Sequence, residues 1–320
     1  MDERLLYHAK IQAFIRKTKL WREFQKGTDL VYFLKQILDK DFIQVCQKDA
    51  DLWYQKIQKK IPNLVCISLY DPCYPKLLKE IYDPPIVVAC LGNLDLFSYH
   101  LTSIVGTRKA SPISLKATES LVESLKHTER LGIVSGMALG IDRKAFLAAL
   151  DRQIPVLGVL GTTIELQYPP GNRDLYKRVE KDPSSLLMTE FLMYTEPAKW
   201  TFPKRNRVIA GLSERVYIME SGKKSGTIST ALSAINENRE IYVFDHPSQF
   251  DNAGGKKLIL DGAERLELKD LPTTQPIVES SVLLENSDLM TETEDTKGMP
   301  LDAEMISFDE WRRQFVESIL

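Results

Sequence analysis

Nine consecutive residues, Lys199, Trp200, Thr201, Phe202, Pro203, Lys204, Arg205, Asn206 and Arg207, carry four cations, two aromatics and no acid. Four cations so close together can neutralise backbone phosphates, and an aromatic ring beside them can stack a base. Phe202 is the better candidate for stacking; Trp200 is expected to pack inward. Phe202-Pro203 also fits a helix start, with Phe just outside, Pro at the first helical position and the ring turned to the core. Both readings stay open for Phe202. On a helix, Arg205 and Arg207 differ by about 200° of rotation. One is therefore expected to face a ligand and the other an internal carboxylate. Glu190 is a candidate partner for such an arginine, Arg205 for instance.

Three glycine-bearing turns add to this cluster. Gly106, Thr107, Arg108 and Lys109 follow an apolar run and precede an amphipathic one. Glycine permits a tight turn, the next amides point out of a helix N-terminus, and the cations supply charge. Ser135-Gly136 and Gly226-Thr227 repeat the device. Each turn alone is unspecific; together with Arg205 and Arg207 they point to phosphate.

Several other chemistries lack their residues. Gly136 and Gly140 are spaced GxxxG, not GxGxxG, and neither GxxxxGK[ST] nor GxSxG occurs. His8, His100, His127 and His246 are scattered, and only His246 falls near the glycine turns. Cys46, Cys66, Cys73 and Cys90 form no CxxC pair, so they are expected as small buried hydrophobes, with no metal site and no cofactor. Asp142 and Glu190 are the one conceivable carboxylate pair. Asp142 near a helix start is better explained by the helix dipole, and no catalytic residue is expected.

These turns need a scaffold that holds them at one edge. From Thr102 to Leu260, apolar runs alternate with amphipathic segments. Strands are predicted at 102–105, 132–134, 155–160, 185–190, 215–219 and 240–244. Helices are predicted at 113–129, 141–151, 172–181, 203–212, 227–238 and 255–261. That rhythm implies an α/β fold with a doubly wound, mostly parallel sheet covered on both faces, whose ligands bind at the carboxyl ends of the strands. Upstream, strands at 64–68 and 86–91, a helix at 76–81 and two proline-rich turns predict a connector packed on the next domain. Residues 1–62 carry helical periodicity and predict a small N-terminal module. Residues 269–303 predict a disordered acidic linker. Phe308, Trp311, Phe315 and Ile319 predict a short C-terminal helix over 304–320.

The 320 residues carry a net charge of −2. Residues 276–320 hold 11 acids and 3 bases, so the rest of the chain is at +6. A basic body with an acidic tail suits a polyanion partner, with the tail as a possible competitor. The charged start, Met1-Asp2-Glu3-Arg4, has no apolar run behind it, and no run is long enough to span a bilayer. A soluble, cytoplasmic protein with no membrane partner is the expectation.

Specific stretches resemble the DNA-processing protein A family, DprA or Smf. They are Ile104–Ser111 (IVGTRKAS), Ser135–Asp142 (SGMALGID), Val156–Gly158 (VLG), Tyr168–Arg173 (YPPGNR), Phe202–Ser213 (FPKRNRVIAGLS), Ser225–Ala231 (SGTISTA) and Leu258–Ala263 (LILDGA). Tyr74-Pro75, Asp83–Pro85 and Gly92-Asn93 match the family's lead-in. The resemblance spans about residues 60–268 and implies an extended Rossmann-like core over 63–268 that binds single-stranded DNA without catalysis. It further implies protection of that strand, loading of the RecA recombinase during natural transformation and recombination, and a homodimer. Carried over by position, the DNA pocket comprises Gly106, Arg108, Ser135, Gly136, Lys199, Phe202, Arg205, Asn206 and Gly226. Thr107, Lys109, Lys204, Arg207 and Thr227 join it as neighbouring donors. The N-terminal helices resemble the sterile-alpha-motif or helix-hairpin-helix module of relatives, and the C-terminal helix a remnant of a winged helix. Departures occur at Ala145-Phe146, where relatives usually have Ala-His, at Asp245–Pro247 and at Asn252–Gly255. A nucleoside-monophosphate phosphoribohydrolase is the alternative on a related Rossmann-like core. Such enzymes carry a glutamate where Ser229 stands here.

Overall fold

The computed structural model divides into two units, Met1–Pro272 and Thr273–Leu320. It describes residues 55–269, apart from Gln58, Tyr70, Ile86, 192–196, Lys224, 248–251 and Leu268. The acidic linker, the C-terminal helix and most of the N-terminal module lie outside the described residues. The last described part of that module, 55–57 and 59–60, is helical, and Ile57 is buried in the core.

The elements follow the predicted alternation. They are β1 (Val65–Ser68), α1 (Lys76–Glu80), β2 (Val87–Gly92), β3 (His100–Val105), α2 (Pro112–Leu125), β4 (Leu131–Ser135) and α3 (Ile141–Asp151). Then come β5 (Val156–Val159), α4 (Arg173–Lys181), β6 (Leu186–Thr189), α5 (Thr201–Leu212), β7 (Arg215–Ile218), α6 (Gly226–Asn236), β8 (Glu240–Phe244), α7 (Ala253–Leu260) and β9 (Glu264–Leu266). Two short 3-10 turns precede β3 and α4. The strands form one nine-stranded sheet in the order β1-β2-β6-β5-β4-β3-β7-β8-β9.

From β6 to β9 every pairing is parallel. The β4 and β5 strands are buried along their whole length, as expected of a sheet with helices on both faces. One face carries α2, α3 and α4, where Leu121, Phe146 and Tyr176 pack over Ile133 and Met219. The other carries α1, α5, α6 and α7, where Leu78, Ile209, Ala231 and Leu258 pack over Val134 and Ile218. The chain winds outward from β3 through β4, β5 and β6, then crosses back to β7 on the other side of β3. The strand order therefore reverses between β3 and β7, and a doubly wound sheet opens its crevice at such a point.

Three departures from the sequence reading have physical causes. The predicted connector is part of the sheet: β2 pairs antiparallel with β6, and β1 with β2. Helix α2 ends at Leu125, four residues before the predicted end, because tight bonds from Lys126 N–H to Glu123 O and Thr128 N–H to Leu125 O unwind it. Helix α5 begins at Thr201, so Pro203 sits at its third position rather than its first. The first helical N–H groups lack intrahelical acceptors, so proline forfeits no hydrogen bond there. Phe202 is thus a residue of the first turn, and the staple-like start does not form.

Candidate nucleic-acid interface

The loops after β3, β4 and β7 lock together at the carboxyl rim of the sheet. Thr107 N–H donates to the Glu220 carbonyl at 2.9 Å, tying the β3 loop to the end of β7. Ile141 N–H, at the start of α3, donates to the Thr107 carbonyl at 3.2 Å. Gly140 precedes it with φ 74°, and a Cβ there would lie 2.3 Å from the Thr107 oxygen and 2.5 Å from that of Arg108. Only glycine serves where backbone approaches backbone so closely in a left-handed conformation. The Glu220 carboxylate, itself buried, accepts from the Ser111 N–H at 2.9 Å and the Ser111 hydroxyl at 2.7 Å. His246 Nε2 lies 2.9 Å from the same hydroxyl, so the one histidine expected near the site does sit beside these loops, buried in their support.

Asp142, in the first turn of α3, is buried and accepts from the amides of Gly136 at 3.0 Å and Ala138 at 3.3 Å. It stands at the helix start, as the sequence reading has it, and also closes the β4–α3 loop from within. Burial pushes its carboxyl up from the ordinary carboxylate range, opposed first by the Arg205 charge and then by those two amides. Arg205 is 6% exposed. Its Nη1 donates to the carbonyls of Gly136 and Val159, both at 2.6 Å, and its Nε to Asn206 Oδ1 at 3.1 Å. Burial presses its guanidinium below the usual range, opposed by Asp142. A guanidinium nevertheless keeps its proton in proteins, so the arginine stays a buried cation beside Asp142. Arg205 therefore joins the ends of β4 and β5 from α5. Asn206 is buried too, and its amide donates to the Gly226 carbonyl at 3.1 Å, joining α5 to the start of α6. Ser135 is buried, and its hydroxyl donates to the Ile104 carbonyl at 2.6 Å.

Only half of the expected division between the two arginines of α5 is found: Arg207 meets internal carboxylates, but Arg205 is buried against carbonyls rather than turned to a ligand. Glu190 holds Arg207, not Arg205: Arg207 Nη2 lies 2.6 Å from a Glu190 oxygen and its Nε 3.2 Å from Asp83. The rotation between positions 205 and 207 sends Arg205 under the strand ends and Arg207 toward the loop before β2. With its carboxylate against Arg207 and nearly sealed from solvent, Glu190 is not placed as an acid in an open site. Asp142 is equally enclosed.

The exposed part of the rim is a different set. Arg108, Lys109, Lys199, Lys223 and Gly226 are exposed, and Thr107, Phe202 and Lys204 are half-buried. The Arg108 guanidinium lies 5.5 Å over the Phe202 ring. That ring rests on Gly161, where a Cβ would come within 2.8 Å of it. Lys204 Nζ sits 5.8 Å from the Trp200 ring and 5.9 Å from Phe191, and Trp200 meets Phe191 edge to face. The backbone at Gly222 and Gly226 faces open space. Ser225 caps α6 by accepting from Thr227 N–H at 3.1 Å, while Thr227 itself is buried. Of the residues predicted from sequence, the structure gathers Arg108, Phe202 and the loops after β3, β4 and β7 into one rim. Arg205, Asn206, Ser135 and Gly136 lie beneath it, and Arg207 is turned away.

Two supporting residues escaped the sequence reading. Asn172 is buried, donates to the carbonyls of Met137 and Ala138 at 2.8 and 3.0 Å, and accepts from Arg143 at 3.1 Å. Asn252 accepts from the Ser221 amide and donates to the Phe244 carbonyl, both at 2.9 Å. Each is an asparagine beside a Gly- or Pro-rich turn, the one local signal of such a clamp. Among the described residues no cluster of His, Cys, Asp and Glu could hold a metal, and no helix is long and apolar enough to cross a membrane.

Comparison with known proteins agrees with this architecture. The sequence profile of the DNA recombination-mediator protein A family matches residues 65–274. The DNA processing protein DprA of Streptococcus pneumoniae is 36% identical over 227 residues, which cover 69% of this chain and 78% of that protein. The DprA of Bacillus subtilis is 36% identical over 256 residues, covering 77% and 85%. The crystal structure of the S. pneumoniae protein superposes with a TM-score of 0.67 at 30% identity, over 80% of this chain and 90% of that one. A structure of DNA processing protein A from Helicobacter pylori, described for its single-stranded DNA binding mode, superposes with a TM-score of 0.57 at 26% identity, over 63% and 90%.

Proposed function

This chain belongs to the DNA recombination-mediator protein A family, and we propose on that premise that it binds single-stranded DNA without breaking a covalent bond in it. In this reading it protects the strand and loads the RecA recombinase onto it during DNA uptake and recombination, in the cytoplasm and as a homodimer. The observation that carries the DNA-binding reading is the exposed Arg108 lying over the half-exposed Phe202 ring at the carboxyl rim of the sheet. A cation on a half-exposed aromatic ring offers one group for a phosphate and one for a base. A duplex hides its base faces in the stack, so that pair favours a single strand. Arg108, Lys109, Lys199 and Lys223 supply exposed charge, and the amides at Gly226 supply donors at a helix start.

The test is binding of matched single- and double-stranded oligonucleotides across a salt series. The single strand should bind more tightly, and log affinity should fall against log salt by roughly 0.7 per phosphate neutralised. Equal affinity for both forms, or no salt dependence, overturns the reading. RecA loading is tested separately, by filament formation on single strands already coated with a single-strand-binding protein. Filaments should form faster when this protein is added. The phosphoribohydrolase alternative predicts base release from AMP that is lost in Glu190→Gln; the placement of Glu190 against Arg207 argues against it.

A further inference from the structure

We infer that Tyr168 is a second base-stacking residue of this rim, taking the nucleobase next to the one on Phe202. The inference rests on the single-strand reading above and adds a subsite to it.

The two rings lie 5.7 Å apart between centroids and are tilted by 33°. Both residues are half-buried. Phe202 thus joins an exposed cation and a second ring into one row of contacts: Arg108, Phe202, Tyr168. A single strand crossing such a row presents a phosphate to the first and successive bases to the others. The tilt keeps the rings from closing into one sealed stack.

The row is held from several sides before any ligand arrives. Tyr176, itself buried, donates its hydroxyl to the Tyr168 carbonyl at 2.9 Å. Asn172 clamps the same loop to the β4–α3 loop through the carbonyls of Met137 and Ala138. Leu139, 38% exposed, comes against Gly171 three residues beyond Tyr168, and its neighbour Gly140 lies on the Arg108 backbone. The contacts thus close a ring from Arg108 through Phe202, Tyr168, Gly171, Leu139 and Gly140 back to Arg108. A water-facing apolar lip, fixed in place beside a phosphate-binding charge, suits a flat heterocycle and loses little entropy on binding it.

The test compares Tyr168→Phe and Tyr168→Leu with the wild type, using a short oligothymidylate and the same oligonucleotide carrying an abasic site. Stacking of one base corresponds to roughly a five- to hundredfold change in affinity. Tyr168→Leu should lose that much without changing the salt slope, while Tyr168→Phe retains wild-type affinity. Ultraviolet crosslinking of a 5-iododeoxyuridine oligonucleotide to the wild-type protein should mark the peptide containing Tyr168, and this readout needs no variant to fold. If the wild type binds single strands but Tyr168→Leu binds equally well and no crosslink forms at Tyr168, the subsite is refuted and the single-strand reading stands. If the wild type shows no preference for single strands, the parent reading has failed first.

Discussion

Arg205 Nη1 reaches two carbonyls at 2.6 Å, from the ends of two adjacent strands, with the Asp142 charge beside it. Arg108, also a candidate from sequence, stands in solvent over an aromatic ring. Substitution should separate their roles. Arg205→Ala strands two carbonyls and a buried carboxylate, a class of change that costs about 3–5 kcal/mol. In a domain of this size that lowers Tm by roughly 6–20 °C, and calorimetry or a thermal melt reads it directly. Any loss of DNA binding in that variant should track the loss of structure. An unchanged Tm with abolished binding would make Arg205 a direct ligand contact instead. Arg108→Ala should leave stability within about 0.5 kcal/mol, as surface changes generally do. It should also weaken single-strand binding and reduce the salt slope by about 0.7. If both affinity and slope survive, the phosphate site lies elsewhere.

Elements decide where these residues end up, and two of them make testable claims. In Gly140→Ala the added carbon meets the carbonyls of Thr107 and Arg108 in a left-handed conformation. The β3 loop must then move away from α3, which should cost about 1–3 kcal/mol and weaken DNA binding together with Tm. The β1–β2 pair buries two thiols. Burial pushes Cys66 up to about 12 from an ordinary 9.0, and raises Cys90 as well, while Cys73 stays exposed. The folded state therefore holds these protons more tightly than the unfolded chain. Their contribution to stability is complete below about pH 9 and is lost as pH rises from there toward 12. Denaturant titrations between pH 8 and 11 should show that decline, and Cys66→Ser should flatten it. At pH 8, peptide mapping after maleimide treatment should find Cys73 labelled and Cys66 and Cys90 protected until unfolding. The alternation of apolar runs made most of these elements legible. Helix α3 and strand β8 match their predicted bounds residue for residue, because a glycine or a polar turn punctuates each end. Strand β9 was not legible: it is three residues, two of them charged, added to the sheet edge after Gly262 turns the chain. Periodicity also showed that Arg205 and Arg207 point apart, but not which one turns inward. That choice depends on Asp83, over a hundred residues away in sequence, and on the carbonyls of two other strands.

At the scale of the whole molecule, both faces of the sheet are covered by amphipathic helices, so the strand ends and their loops are open to a ligand only at the rim. The reversal between β3 and β7 brings the loops after β3, β4 and β7 to one place on that rim. Exposed cations collect there although the chain as a whole is at −2. The opposing charge is concentrated in residues 276–320, with 11 acids against 3 bases. Removing that segment leaves a chain at +6, which should speed encounter with a polyanion through the long-range field. Such a field is screened over about 10 Å at 0.1 M salt. Stopped-flow mixing with an oligothymidylate should therefore show faster association for the shortened chain at low salt. The difference should shrink as salt rises, and the preference for single over double strands should stay the same if, as proposed, it comes from Phe202 and its neighbours rather than from net charge. A rate difference that holds undiminished at high salt is not a field effect. A changed strand preference would mean that charge, and not the aromatic rim, selects the ligand.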